Sequence, residues 1–417
     1  MSDEPPPSRA RMAAATRELH DAVDANAPFL HPSARTIQRD LRSSAEVAAW
    51  QEAKAAFVLA GDGAWSELPH LYARYGTGGT ARLIAALREL EHARAAVVTD
   101  CGMQAVALVT DALVQRGSHV VAMRQVYNKT RAFLDATCKR VGATLALVDD
   151  GDLDGLAAAL RPDTTLVFCE TFTNPLGRAQ DIPALGRLVA RVAGARLVVD
   201  STIATPWGVA APLLERGAHV VVGSLTKALG GRDLALGGYV ATNDPALANQ
   251  LMDVIAMRGG ILDDARALLV VEHLADAERM HARRCASAAR VAEALAVHPR
   301  VERVFHPSRP DHPDAAVIAR DYTRTGSLLA YRVRDADEAA HRVLADRLVA
   351  TGVPRFALSF DGLVTKVNHH RTVSEYFTPA DVVARLGIDR LIRLGIGLEE
   401  PDDLIACLYW SLRDGLH

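Results

Sequence analysis

From Leu83 onward, apolar positions along the chain follow two alternating rhythms. Short unbroken runs of aliphatic and β-branched residues read as strands buried on both faces. Stretches with apolar positions three and four apart read as amphipathic helices. Strands are predicted at Ala95–Thr99, His119–Met123, Thr144–Val148, Thr165–Glu170, Arg196–Asp200, His219–Val222 and Gly238–Thr242. Helices are predicted at Leu83–His92, Met103–Gln115, Lys129–Val141, Leu153–Leu160 and Ile182–Val192. Seven strands separated mostly by helices imply an α/β unit, a largely parallel sheet covered on both sides. After Pro245 the pattern is helical, with a long stretch from Asp264 to His298 that Pro299 stops. A smaller α+β unit follows: strands Val301–Phe305, Ser327–Val333 and Leu391–Ile396, and helices Ala336–Leu348 and Asp402–Leu412. Before all this, breaks at Pro28, Pro32 and Pro69 leave only Ala45–Leu59 as a candidate helix, so the first residues read as an arm lying on something else. The expected organisation is an arm (1–75), a large unit (76–262) and a small C-terminal unit (263–417).

Composition narrows the classes. At 417 residues, 49% hydrophobic and 23% charged, the chain is an ordinary globular protein of more than one unit. A net charge of −3 supplies no electrostatic footprint for nucleic acid or an anionic membrane. The five cysteines are scattered without a CxxC pair, which indicates neither a disulfide framework nor a zinc site. No apolar run reaches the roughly 20 residues that span a bilayer. The N-terminus MSDEPPPSRARM lacks the basic-then-apolar pattern of a signal peptide, so a cytoplasmic protein is expected. Only five of the 47 basic residues are lysine: Lys54, Lys129, Lys139, Lys227 and Lys366. A lysine retained among so many arginines draws notice, because an amine can deprotonate and a guanidinium in practice does not.

One of the five, Lys227, follows a predicted strand directly, in Gly223-Ser224-Leu225-Thr226-Lys227, with Gly230-Gly231 and Gly237-Gly238 after it. Ligands of open α/β sheets bind outside the carboxyl ends of the strands. Two hydroxyls beside an amine there suit a phosphorylated aldehyde held as a Schiff base, which is pyridoxal phosphate (PLP). A solvated surface lysine is the rival reading. Other strand ends also carry polar groups. Asp100-Cys101-Gly102-Met103-Gln104 opens a helix whose N–H groups can meet a phosphate, without the GxGxxG pattern of a dinucleotide site. Tyr127 has the size to stack on a planar ring or to pack, and Asn174-Pro175 is a turn signal before it is a ligand. Asp200 ends a buried strand and needs a partner for its charge; a protonated pyridine nitrogen is one, a turn cap another. Arg393 interrupts an apolar strand, where a substrate carboxylate or an internal ion pair would satisfy it.

With those residues in place, the chain resembles the PLP-dependent Cys/Met metabolism (trans-sulfuration) enzymes: cystathionine γ-synthase, cystathionine γ-lyase and methionine γ-lyase. The resemblance runs from about Leu71 to the C-terminus. It rests on Tyr72-Ala73-Arg74-Tyr75-Gly76-Thr77, Cys101-Gly102-Met103-Gln104-Ala105, Glu170-Thr171-Phe172-Thr173-Asn174-Pro175, VVDSTIATP at 198–206, SLTKALGG at 224–231 and RLGIGLEE at 393–400. It implies the fold type I of PLP-dependent transferases, an aspartate-aminotransferase-like seven-stranded sheet with a smaller C-terminal α+β domain. It implies that Lys227 is the Schiff-base lysine and proton carrier, that Asp200 pairs with the pyridine nitrogen, and that Tyr127 stacks on the ring and moves protons. Gly102, Met103, Thr202, Ser224 and Thr226 would hold the cofactor, mainly at its phosphate, with Asn174 at the phenolic oxygen. Tyr72 and Arg74 would reach the phosphate of a neighbouring subunit, which implies a homo-oligomer, a dimer of shared sites assembled into a tetramer. Arg393 would take the carboxylate of an amino-acid substrate, with Ser359 nearby.

The implied activity is γ-elimination or γ-replacement on an amino acid with a leaving group at Cγ, with a non-standard substrate of a specialised pathway in view. β-Elimination on a cystathionine-like thioether and an inactive PLP-binding scaffold are the alternatives. Departures from the family pattern concentrate around the substrate. Lys129 stands where the family has a small residue or Cys, a second amine expected to face the substrate, and the ESLGG loop reads Leu358-Ser359-Phe360-Asp361-Gly362. Thr365 to His370 also departs, and His369-His370 there reads as a polar loop rather than a metal site.

Overall fold

The structure is a computed structural model that describes residues 43–60 and 72–413. The sequence breaks at Pro28, Pro32 and Pro69 lie outside the described residues. The arm's helix is present as α1 (Ser44–Ala60) and buries none of its residues. Leu59 is 87% exposed, while Phe57, half-buried, packs against the main core.

The main sheet has seven strands: β1 (Ala95–Thr99), β2 (His119–Met123), β3 (Thr144–Val148), β4 (Thr164–Glu170), β5 (Arg196–Asp200), β6 (Val220–Ser224) and β7 (Gly238–Thr242), in the order β1-β7-β6-β5-β4-β2-β3. Every residue of β1, β2 and β7 is buried, as a sheet covered on both faces requires. On the edge strand β3 only Val148 is buried. All neighbours are parallel except β7, which runs antiparallel to both β1 and β6. That reversal sets Gly238, the first residue of β7, beside the last residues of β1 (Thr99) and β6 (Ser224). His219, expected inside the sixth strand, sits instead at its threshold. Its N–H donates to the Leu197 carbonyl (2.9 Å) and its Nδ1 accepts from the Leu197 N–H (3.1 Å), so the ladder begins one residue later.

The crossover helices are α2 (Gly78–Glu91), α3 (Gly102–Leu113), α4 (Asn128–Val141), α5 (Leu153–Ala159), α6 (Ile182–Val189) and α7 (Pro245–Arg258). Aspartate side chains cap α5, α6 and α7 through Asp152, Asp181 and Asp244, each accepting a backbone N–H three residues on. The long helix α8 (Asp264–Ala296), capped by Asp263, spans 33 residues, or about 50 Å. Ala267 and Val270 near its start belong to the main core, and Ala288, Val291, Ala292 and Leu295 near its end to a second core.

That second core covers a five-stranded sheet, ordered β10-β11-β12-β9-β8. Its members are β8 (Val301–Phe305), β9 (Leu328–Val333), β10 (Arg355–Phe356), β11 (Lys366–His369) and β12 (Ile392–Gly395). Helices α9 (Ala315–Asp321), α10 (Glu338–Ala350), α11 (His370–Val373), α12 (Ala380–Arg385) and α13 (Pro401–Ser411) accompany it. Arg284 of α8 is fully buried and fastens both halves: Nε donates to the Gly362 carbonyl (2.9 Å) and Nη2 to that of Gly231. Strand β11, KVNH, is buried along its whole length despite its polar sequence. His369 and His370 are therefore core residues rather than a polar loop. His369 pairs with the Thr372 hydroxyl (2.6 Å), while the His370 Nε2 lies 4.0 Å from Glu375. Among the described residues no group of three or more His, Cys, Asp or Glu is placed to hold a metal ion, and no helix is long and apolar enough to cross a membrane.

Candidate active site

Lys227 lies in a π-helical turn, Leu225–Leu229, that leaves β6, and its own backbone (φ −94°, ψ −135°) departs from helical geometry. Its ammonium points at the second sheet, donating to Ser359 and lying 4.6 Å from the centroid of the Phe360 ring. Burial pushes this lysine down to about 8; Arg393 and Lys366 push the same way against the opposing pull of Asp361 and Asp233. An amine titrating there has a free-base fraction near neutral pH that is hundreds of times larger than an ordinary lysine's, roughly a tenth at pH 7.

Arg393 of β12, 3% exposed, lies 5.8 Å from the centroid of the same ring. Its Nη1 donates to the Asn174 side-chain oxygen (3.4 Å) and Nη2 to the Leu358 carbonyl (3.3 Å), while Nε is buried with no partner. It makes no ion pair among the described residues, so the internal salt bridge is not the answer to its burial. Burial alone holds it down to about 10. A buried guanidinium with an open donor next to a reactive amine is a receptor for a carboxylate.

Across the sheet, Asp200 and Glu170 end neighbouring strands and face each other in register. Asp200 accepts the Thr202 N–H (2.9 Å), and Glu170 accepts the Tyr127 N–H (2.5 Å). Burial raises both carboxyls, and Asp200 raises Glu170 further. An aspartate kept from an easy charge by its surroundings gains most from a fixed cation, which is what a protonated ring nitrogen supplies. Tyr127 remains 43% exposed at the start of α4, its position set by Glu170, with its phenol pushed up by burial.

The phosphate-sized end is built from close backbone approaches. A Cβ at Gly102 would come within 3.0 Å of the Ser224 Cβ, and one at Gly238 within 2.4 Å of the Cys101 carbonyl. Only glycine lets these segments pack, and their packing leaves the first N–H groups of α3, at Gly102 and Met103, uncapped by any side chain. Ser224 donates its N–H to the Thr202 hydroxyl (3.0 Å), and Thr226 exchanges hydrogen bonds with Gly237 (3.2 and 3.4 Å). Uncapped N–H groups with adjacent hydroxyls, a buried carboxyl and a depressed amine are a set of groups whose chemistry fits the phosphate, the ring nitrogen and the aldehyde of PLP respectively.

The structure thus gathers Lys227, Ser359 and Arg393 with Asn174 through direct contacts, and Gly102, Ser224, Thr202 and Asp200 along the strand ends. It does not bring Tyr72 and Arg74 to them. Arg74 donates to the Ala256 carbonyl (2.6 Å) and lies over the Tyr72 and Tyr75 rings (5.4 and 4.8 Å). Lys129 is exposed in the first turn of α4. Sequence reasoning missed Phe360, whose ring neighbours both the amine and the guanidinium, and the role of Glu170 in fixing Tyr127. It also missed Asn128, which replaces open backbone with a side chain donating to the Ser374 carbonyl across the cleft. Lys366, paired with Asp233 (2.5 Å), is a fourth bond across that cleft.

The lowered amine has a measurable consequence. The rate at which cofactor-free protein recaptures PLP, followed by the returning visible absorbance, is expected to rise with pH through about 8 and then level. Below that midpoint the ammonium has no lone pair to offer the aldehyde. Lys366→Met removes a cation and frees Asp233, both of which favour the ammonium, so the midpoint moves up. A wild-type midpoint near the ordinary lysine value of about 10.4 would refute this reading.

A family model for Cys/Met metabolism PLP-dependent enzymes matches residues 42–413. An L-methionine γ-lyase of Fusobacterium nucleatum subsp. polymorphum is 30% identical over 352 residues, covering 84% of this chain and 87% of that protein. An O-succinylhomoserine sulfhydrylase of Pseudomonas aeruginosa is 32% identical over 82% of this chain and 83% of its own. Among solved structures, a cystathionine γ-synthase of Xanthomonas oryzae pv. oryzae in complex with cystathionine superposes with a TM-score of 0.78 at 30% identity, covering 82% of this chain and 87% of that one.

Proposed function

The chain belongs to the Cys/Met metabolism PLP-dependent enzymes, and on that premise we propose that it removes or replaces a substituent at Cγ of an amino-acid substrate. The observation that carries the reading is the pairing of a depressed amine, Lys227, with a buried guanidinium lacking any acid partner, Arg393, on one aromatic ring. The γ position follows from the relatives, which include a γ-lyase and a sulfhydrylase of an O-acylated homoserine.

PLP, when bound, withdraws the electrons left behind when a proton departs from the carbon next to the amino group. The chain supplies the rest. Arg393 takes the substrate carboxylate in a bidentate grip, with Asn174 steadying the guanidinium. Lys227 removes the proton from Cα, and Ser359 holds the amine in place for that transfer. Once it has passed that proton on, the same amine would take a second from Cβ, and the γ substituent would leave with the electron pair of its bond to Cγ. Asp200 would meet a protonated ring nitrogen, and Tyr127, fixed by Glu170, would stack on the ring. Tyr72 and Arg74, turned away from their own cluster, serve the phosphate of a neighbouring subunit, which makes the working enzyme at least a dimer and by resemblance a tetramer. Lys129, at the rim, tunes the leaving or incoming γ group.

Proton NMR in heavy water tests the assignment on the PLP-loaded enzyme with methionine, homoserine esters, cystathionine, cysteine and allylglycine-type analogues. Exchange at both Cα and Cβ of a substrate is expected, because only γ chemistry requires the second deprotonation. Exchange at Cα alone would replace the reading with β-elimination, and no exchange with any of them would overturn it.

A further inference from the structure

Behind the active-site loops lies a cavity of about 280 Å³, where β8 meets the segments following β2 and β4. Four guanidiniums line it, those of Arg178, Arg303, Arg309 and Arg332, with one carboxylate, Asp311. Arg303 and Arg332 both lie over the ring of Phe305, with 5.1 and 5.7 Å to its centroid, so one aromatic face fixes two cations side by side.

The charges do not cancel. Arg178 is taken up by Asp314 in a two-point grip (2.7 and 2.9 Å), and Arg309 reaches Asp311 at 3.3 Å. Arg332 touches Glu302 at 3.4 Å and donates to the Gly387 carbonyl (2.7 Å), yet its Nε is buried with no hydrogen bond. Arg303 is exposed and makes no ion pair among the described residues. His312, 8% exposed, accepts the Asp314 N–H on Nδ1 (3.1 Å). One uncompensated guanidinium, Arg303, held beside that of Arg332 on one ring, leaves the cavity wall with a cation to spare. The charge-assisted bonds of a carboxylate or phosphate would answer it.

We propose that this cavity is a binding site for a small anion carrying a carboxylate or phosphate, separate from both the cofactor and the substrate sites. Its volume falls below the range for drug-sized ligands, which limits the occupant to a metabolite of a few carbons or a simple phosphate. The site adjoins the chemistry through the backbone. Gln125, in its wall, stands two residues before Tyr127 and accepts the Thr173 hydroxyl (3.2 Å), and Leu176 stands two residues after Asn174. An anion held here touches the two loops that place the ring-stacking tyrosine and the partner of Arg393.

Isothermal titration calorimetry of the PLP-loaded enzyme with succinate and with inorganic phosphate, at fixed ionic strength, tests the proposal. At least one probe is expected to bind saturably, and which one binds tells whether the pocket favours carboxylate or phosphate. Arg303→Ala, a change at an exposed position, is expected to weaken that binding about tenfold or more, and Arg393→Met to leave it unchanged. Absence of saturable binding by either probe would overturn the proposal. So would binding indifferent to Arg303→Ala, or binding lost in Arg393→Met, which would place the anion in the substrate site.

Discussion

Lys227→Ala is expected to lose the visible absorbance of the lysine-bound cofactor and about 10⁴-fold of the Cα exchange rate, while the protein still folds. The side chain it removes is the amine burial has brought to about 8, and neither neighbouring lysine is free to substitute: Lys366 is tied to Asp233, and Lys129 is exposed. The truncation relieves the protein of a cation that burial disfavours, so thermal stability of the cofactor-free variant is not expected to fall. Absorbance spectra and exchange by proton NMR read the two effects separately. A variant that retained the absorbance and exchanged within tenfold of wild type would show that Lys227 is only a neighbour of the chemistry.

The second large effect belongs to Asp200→Asn. The substitution keeps the shape and the hydrogen bond from the Thr202 N–H but withdraws the negative charge that a ring nitrogen would meet. Losing one partner of a buried charge pair costs about 3 kcal/mol, on the order of 10²-fold in rate. The cost should fall on Cα proton removal and on cofactor retention, with substrate affinity nearly unchanged, because Arg393 is untouched. Exchange kinetics with a cofactor titration of the apo-protein separate these. Retention of full exchange would hand the role to Glu170, whose carboxyl lies opposite in the register.

The sheet was readable because its strands carry unbroken apolar runs and its helices carry punctuation. Ala95–Thr99, His119–Met123 and Gly238–Thr242 end in the structure where the pattern ends. Strand β11 was hidden for the opposite reason: Lys366, Asn368 and His369 are polar, and only packing beneath neighbouring elements buries them. The chemistry-bearing strand ends were also visible, since Asp200 and the run to Lys227 interrupt apolar stretches. What the sequence withheld was register and crossing. Nothing in the spacing shows that Glu170 pairs with Asp200, that Phe360 of a distant loop lies under Lys227, or that Asn128 reaches Ser374. The first comes from pairing within the main sheet; the other two come from its loops meeting those of the second unit, with partners more than a hundred residues away. The histidine pair misled for the same reason, because exposure is a tertiary property.

The bonds of Arg284 to Gly231 and Gly362 bear on how such a cleft can move. One carbonyl follows the turn that carries the reactive amine, and the other follows the loop of Ser359 and Phe360. Helix α8 is thus an axle spanning both cores, and Arg284 is the bearing pinned to either wall. Any swing of one sheet against the other that preserves those two bonds must turn about that bearing. The walls there would stay nearly still, and travel would grow with distance toward the rim, where Tyr376 and Phe377 stand exposed. A few degrees of swing about such an axle moves a rim atom by about an ångström while leaving the amine and its serine almost in register. A swing of that kind would open the mouth while the place where bonds change stays put.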